Sequence, residues 1–197
     1  MSQLEDILPL SPLQQGLYFH ALFDAEADVY SAQVVLRLDG PVNPDALRQA
    51  AETLVRRHAN LRAAFRQRKT GEAVQVIHRE VVVPWREVED GDVDRIAAQE
   101  RNRPWDLTRP PLLRFVLVRT GPETYHLIFT HHHILLDGWS MPILQTELFA
   151  LYLTKGDDSI LPRVTPYKTY LAWIARQDRP AAEAAWAQAL RGVDEPT

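Results

Sequence analysis

From residue 32 to residue 38 apolar and polar side chains alternate. Ala32, Val34, Leu36 and Leu38 fall on one face, against Gln33, Val35 and Arg37, which predicts a strand with one apolar side. Asp39-Gly40-Pro41 ends it. Asn43-Pro44 then opens a helix on which Leu47, Ala50, Ala51, Leu54 and Val55 form one stripe. Upstream, Ser11-Pro12-Leu13-Gln14 has the form of a helix start, with Ser11 as cap, Pro12 in the first turn and Gln14 completing a capping box. That helix is expected to run to about Phe23. An extended stretch at Leu61–Arg68 leads through the turn Lys69-Thr70-Gly71-Glu72 into a strand at Ala73–His78. Val93, Ile96 and Ala97 predict a helix ending before Pro104.

The run Leu113–Arg119, the turn Thr120-Gly121-Pro122-Glu123 and the run Tyr125–His131 predict an antiparallel hairpin. After Asp137-Gly138, a helix with Ile143, Leu144, Leu148 and Leu151 on one face runs to about Lys155-Gly156. Helices at about Tyr167–Gln177 and Ala181–Leu190 complete the pattern. Strands and helices interleave and at least one strand pair is antiparallel, so the expected class is a mixed α/β sandwich.

Composition narrows the chemistry. The 197 residues suffice for one large or two small domains, and 46% hydrophobic with 24% charged residues is ordinary for a soluble protein. The chain has no cysteine, which removes disulfides, thiolate metal sites and cysteine nucleophiles, and fits a reducing, cytoplasmic setting. Met1–Leu10 carries Glu5 and Asp6 but no Lys or Arg, unlike a secretory signal, and no run has the length of a membrane span. The net charge of −4 argues against nucleic acid as partner, and the cluster Arg62, Arg66, Arg68 and Lys69 is better explained as a solvated strand and turn.

The chemistry concentrates at His131-His132-His133. If the strand continues, Tyr125, Leu127, Phe129, His131 and His133 share one face, with Ile128, Thr130 and His132 on the other. The three histidines therefore cannot converge on one site, and His133 lies where strand gives way to loop. A lone histidine in such a place is more often structural. A metal site from His131, His133 and Asp137 is a second reading, although zinc ligands commonly come at other spacings. The full pattern HHxxxDG, His132 to Gly138, is expected by chance in fewer than roughly one in a thousand chains of this length.

The stretch Thr130-His131-His132-His133-Ile134-Leu135-Leu136-Asp137-Gly138-Trp139-Ser140 closely resembles the core motif of the condensation domains of nonribosomal peptide synthetases, members of the chloramphenicol-acetyltransferase-like superfamily. Leu10–Leu17 resembles the first motif of that family. Arg57–Phe65 is similar to the second, RHExLRTxF, with Ala59 in place of the usual Glu and Ala64 in place of the usual Thr. Trp105-Asp106-Leu107 with Pro111-Leu112-Leu113-Arg114 resembles the FDL…PLLR stretch, and Tyr167, Tyr170 and Trp173 match the helix after the core motif.

The resemblance implies a chloramphenicol-acetyltransferase-like lobe, a mixed, mostly antiparallel sheet packed with helices. Residues 1–197 are then the N-terminal lobe of a two-lobed domain whose C-terminal lobe is absent, so the chain alone is expected to be inactive and its lobe surface apolar. It implies amide-bond formation between a donor acyl or peptidyl thioester and an acceptor aminoacyl thioester, both on phosphopantetheine arms of carrier proteins, with no bound cofactor or metal. His133 is the implied catalytic residue. Asp137 is implied to be structural, paired with Arg62 and fixing the loop of His133. Gly138 is expected to permit a tight turn and close approach of substrate, Trp139 to pack in the core and His132 to be structural; His131 stays open. The Leu135-Leu136-Asp137 spelling is closer to domains taking a D-configured donor. The alternatives are an epimerization domain, which shares HHxxxDG, and a non-catalytic lobe that docks carrier proteins.

Overall fold

The computed structural model describes residues 3–23 and 30–193. Its strands are β1 (Leu4–Pro9), β2 (Ser31–Asp39), β3 (Ala63–Gln67), β4 (Ala73–His78), β5 (Trp85–Glu89), β6 (Leu113–Gly121) and β7 (Thr124–His132). Its helices are α1 (Pro12–Phe23), α2 (Pro44–Arg57), α3 (Val93–Asn102), α4 (Ser140–Leu153), α5 (Tyr167–Ile174) and α6 (Arg179–Ala189), with a 3-10 turn at Ala59–Arg62.

The strands form two sheets. One has the order β1-β4-β3 and is antiparallel throughout; the other has the order β2-β7-β6-β5, antiparallel except where β5 runs parallel to β6. The expected class stands, but the strands are divided between two sheets. The expected hairpin is β6–β7, with Pro122-Glu123 between its strands. β1 and β5 carry no clear period in the sequence, because both are edge strands with few buried side chains.

The larger sheet is covered on both faces. Leu113, Phe115 and Leu117 of β6, with Leu127 and Phe129 of β7, share a core with Leu47 and Leu54 of α2 and Leu144 and Leu148 of α4. Phe115 and Phe129 stack with centroids 4.5 Å apart. On the opposite face Val116, Val118 and Ile128 meet Ile96 and Ala97 of α3. Two covered faces explain why Phe115–Val118 of β6 reads as a continuous apolar run rather than an alternation.

The helix starts follow the local chemistry. Ser11 and Gln14 make the reciprocal capping box, and Asn43 Oδ1 accepts the Ala46 N–H at the start of α2. Ile143 departs from expectation: α4 buries Leu144, Leu148 and Leu151, whereas Ile143 is exposed. α2 and α4 are joined at Glu147, which accepts from Arg57 Nε at 3.0 Å and lies 2.7 Å from His58 Nε2. Thus the Arg57-His58 pair of the second motif ties two helices together. Among the described residues no helix is long and apolar enough to cross a membrane.

Candidate active site

β7 delivers the three histidines into three environments. His131 follows Phe129 on the core face and is buried, its ring 5.4 Å from Phe129 and 6.0 Å from His133. Burial, with repulsion from His133 and His132, pushes its pKa down to about 4. Neither of its ring nitrogens has a hydrogen-bond partner among the described residues. His132 is buried on the other face between Tyr30 and Trp105, and its Nδ1 accepts the Ile134 N–H at 3.1 Å.

His133 comes one residue after β7 ends and is exposed. Its backbone N–H donates to Tyr30 O at 2.8 Å, which extends the β2–β7 ladder by one bond. Its Nδ1 lies 3.1 Å from Leu136 O. A carbonyl oxygen only accepts, so Nδ1 carries a proton, and in the neutral ring Nε2 is left with its lone pair. The ring borders a pocket of about 380 Å³ also lined by Leu17, Asn60, Asp137, Ser140 and Tyr170.

Asp137 does not pair with Arg62. Its Oδ1 accepts the Ser140 N–H at 2.9 Å and the Ser140 hydroxyl at 2.8 Å, which closes the turn leading into α4. The Ser140 hydroxyl, helped by nearby backbone N–H groups, holds the carboxyl below its ordinary range, so it stays ionised near neutrality. Arg62 is buried behind the smaller sheet and bonds elsewhere. It donates to Glu5 Oε2 at 2.6 Å, His78 O at 2.9 Å, Val55 O at 2.9 Å, and Arg56 O. Four of the five N–H donors of the guanidinium are taken by groups of β1, β4 and α2, and none of these bonds goes to Asp137. Glu5, the carboxylate it uses, lies on β1, a strand with no sequence signal.

Trp139 does not pack in the core: it is 88% exposed. Around Gly138 a side-chain carbon would meet nothing within 4 Å, and its φ lies outside the left-handed region. The tight turn therefore does not itself demand glycine, and the space above it is open. Among the described residues no group of three or more His, Asp or Glu side chains is placed to hold a metal ion. Sequence reasoning missed the neighbours that hold the loop. Gln14 Nε2 donates to Ile134 O at 3.1 Å and Asn60 Nδ2 to Leu135 O at 3.5 Å. Gln14 had a local signal as a capping residue but none for this distant contact.

The chain belongs to the condensation domain family, whose profile matches residues 4–197. It is 37% identical over 208 residues to a linear gramicidin synthase of Brevibacillus parabrevis, covering 100% of this chain and 4% of that protein. With bacitracin synthase 1 of Bacillus licheniformis the identity is 35% over 203 residues, covering 98% of this chain and 4% of the relative. The first condensation domain of the calcium-dependent antibiotic synthetase, solved with a substrate analogue, superposes with a TM-score of 0.83 at 19% identity. That match covers 98% of this chain and 50% of the solved one. The chain thus spans a small fraction of its curated relatives and half of a solved condensation domain.

Proposed function

We propose that this chain is the N-terminal lobe of a condensation domain in a nonribosomal peptide synthetase, forming an amide bond between two carrier-protein-bound thioesters. The observation that carries the reading is His133. Its Nδ1 is committed to Leu136 O, and Nε2 is free to accept a proton beside an open pocket. Family membership and the match to half of a solved condensation domain support it.

In the reaction the acceptor α-amine attacks the donor thioester carbonyl. A C–N bond forms, the C–S bond breaks, and the donor arm leaves as a thiolate. A free α-amine has a pKa of about 8, so part of it is neutral at physiological pH and needs no base beforehand. His133 Nε2 accepts a hydrogen bond from the amine, orients it, takes its proton as the adduct forms and returns that proton to the leaving thiolate. Asp137 shapes the loop and takes no proton. The donor is D-configured, as the Leu135-Leu136-Asp137 spelling suggests; a clear preference for the L epimer in a feeding experiment removes that part. The second lobe supplies the other wall of the substrate tunnel, so this chain by itself forms no product.

The test uses the parent two-lobed domain with loaded donor and acceptor carriers, read by mass spectrometry of the acceptor arm. Amide product from wild type and a loss of about 100-fold or more in His133→Ala supports the reading. Absence of product from folded wild type with several substrate pairs, together with α-proton exchange on the substrate, assigns an epimerization domain instead.

A further inference from the structure

We propose that Gln14 is a positioning residue for His133, acting through the backbone of the loop that follows it; the inference rests on the role of His133 given above. Gln14 lies in the first turn of α1 and is buried. A capping box uses the side-chain oxygen of such a residue and its backbone N–H, and both are used here with Ser11, at 3.0 and 3.2 Å. The side-chain nitrogen is left over. It donates at 3.1 Å to Ile134 O, 120 residues along the chain.

The orientation of that amide is fixed. Gln14 Oε1 faces two donors, the Ser11 N–H and Gln75 Nε2 at 3.3 Å, and Gln75 Nε2 is itself anchored on Pro9 O at 2.8 Å. Oxygen must face these donors, so nitrogen must face Ile134 O. The helix start thereby becomes a rigid mount for the loop.

Within the loop three successive carbonyls are held. Ile134 O is taken by Gln14, Leu135 O by Asn60 at the longer distance of 3.5 Å, and Leu136 O by the His133 ring itself. The peptide at Ile134 is also fixed from its other side, because its N–H donates to His132 Nδ1. The bond that selects the His133 tautomer therefore ends on a carbonyl two residues beyond the one that Gln14 holds. Without the Gln14 donor the turn loosens, the Nδ1–H to Leu136 O bond is made only part of the time, and a share of the rings carries its proton on Nε2. Those rings cannot accept the proton of the amine.

The experiment uses the parent domain labelled with nitrogen-15 at histidine, with Gln14→Met, Gln14→Ala and, for comparison, Asn43→Ala. Met keeps an unbranched side chain without the donor. Asn43→Ala removes a helix cap remote from the loop and lowers stability by another route. In both Gln14 variants the His133 ring signals are expected to move from the Nδ1–H pattern towards a mixture. The catalytic constant should fall about 10- to 100-fold, with the acceptor KM within about twofold. Asn43→Ala should lower the melting temperature and leave the His133 signals in place. An unchanged His133 tautomer in either folded Gln14 variant overturns the proposal, as does a raised KM with unchanged kcat. If the tautomer shifts but wild type forms no amide, the positioning role stands and the condensation reading falls.

Discussion

His131 is the most consequential side chain that the proposed reaction does not use. Its pKa of about 4 against an ordinary 6.5 means that the folded protein holds a neutral imidazole where the unfolded chain takes up a proton. Above pH 6.5 both forms are neutral and the group adds no pH dependence. As pH falls from 6.5 to about 4 the unfolded chain gains a proton that the folded one refuses, so stability declines across that window. The loss is on the order of 3 kcal/mol. Asp137, held below its ordinary range, acts at lower pH, where protonation weakens its bonds to Ser140. Because neither His131 nitrogen is satisfied, exchanging the ring for a hydrocarbon ring of similar shape should cost little. His131→Phe is therefore expected to match or exceed wild-type stability at about pH 5 and to flatten the dependence between pH 6.5 and 4. Denaturant unfolding at several pH values checks this; a steeper dependence in the variant would contradict it.

At the scale of elements, Arg62 binds the edge strand β1 to β4 and to the end of α2. Arg62→Ala strands a carboxylate and several carbonyls and should destabilise by about 2–4 kcal/mol. Asp137→Ala, which opens the turn leading into α4, should cost about 1 kcal/mol. The two groups share no partner, so the double variant Arg62→Ala/Asp137→Ala should be additive within about 0.5 kcal/mol. Arg62→Ala combined with Glu5→Ala should not be additive, because each single change already breaks the 2.6 Å pair. A coupling between Arg62 and Asp137 above about 1 kcal/mol in double-mutant unfolding would restore the pairing that the sequence suggests. What was legible divides along the same line. Alternation in β2, the helical stripe of α2, the cap at Asn43 and the β6–β7 turn are local signals, and the structure follows them. β1 and β5 are exposed edge strands with charged side chains such as Glu5, Asp6, Arg86 and Glu87, so their period is faint. The division into two sheets and the partners of Arg62 and Gln14 depend on pairing between distant segments, which no local pattern carries. For the same reason His133 and Asp137 were found by their motif, while the residues holding them were not.

For the whole molecule, the distribution of apolar surface sets the last expectation. Both faces of the larger sheet are covered, yet large side chains remain outside: Leu13, Trp139, Ile143, Trp173 and Trp186 are each more than half exposed. α6 buries none of its residues, although Ala182, Trp186 and Leu190 recur at helical spacing. Leu13 lines the pocket that His133 borders, and Trp139 and Ile143 begin the helix that follows the histidine loop. Apolar surface around the proposed reaction site is what a lobe interface would require. The proposed second lobe would then withdraw Trp139 from water. The difference in fluorescence between wild type and Trp139→Phe isolates that indole among the five tryptophans of this chain. In the 197-residue chain alone the difference spectrum should show the red-shifted emission of a solvated indole, and sedimentation should show concentration-dependent self-association. In the two-lobed parent the same difference spectrum should shift to the blue and the self-association should disappear. A Trp139 signal equally solvated in both proteins would place the lobe contact elsewhere, and a chain that stays monomeric at high concentration would show that this surface is not adhesive on its own.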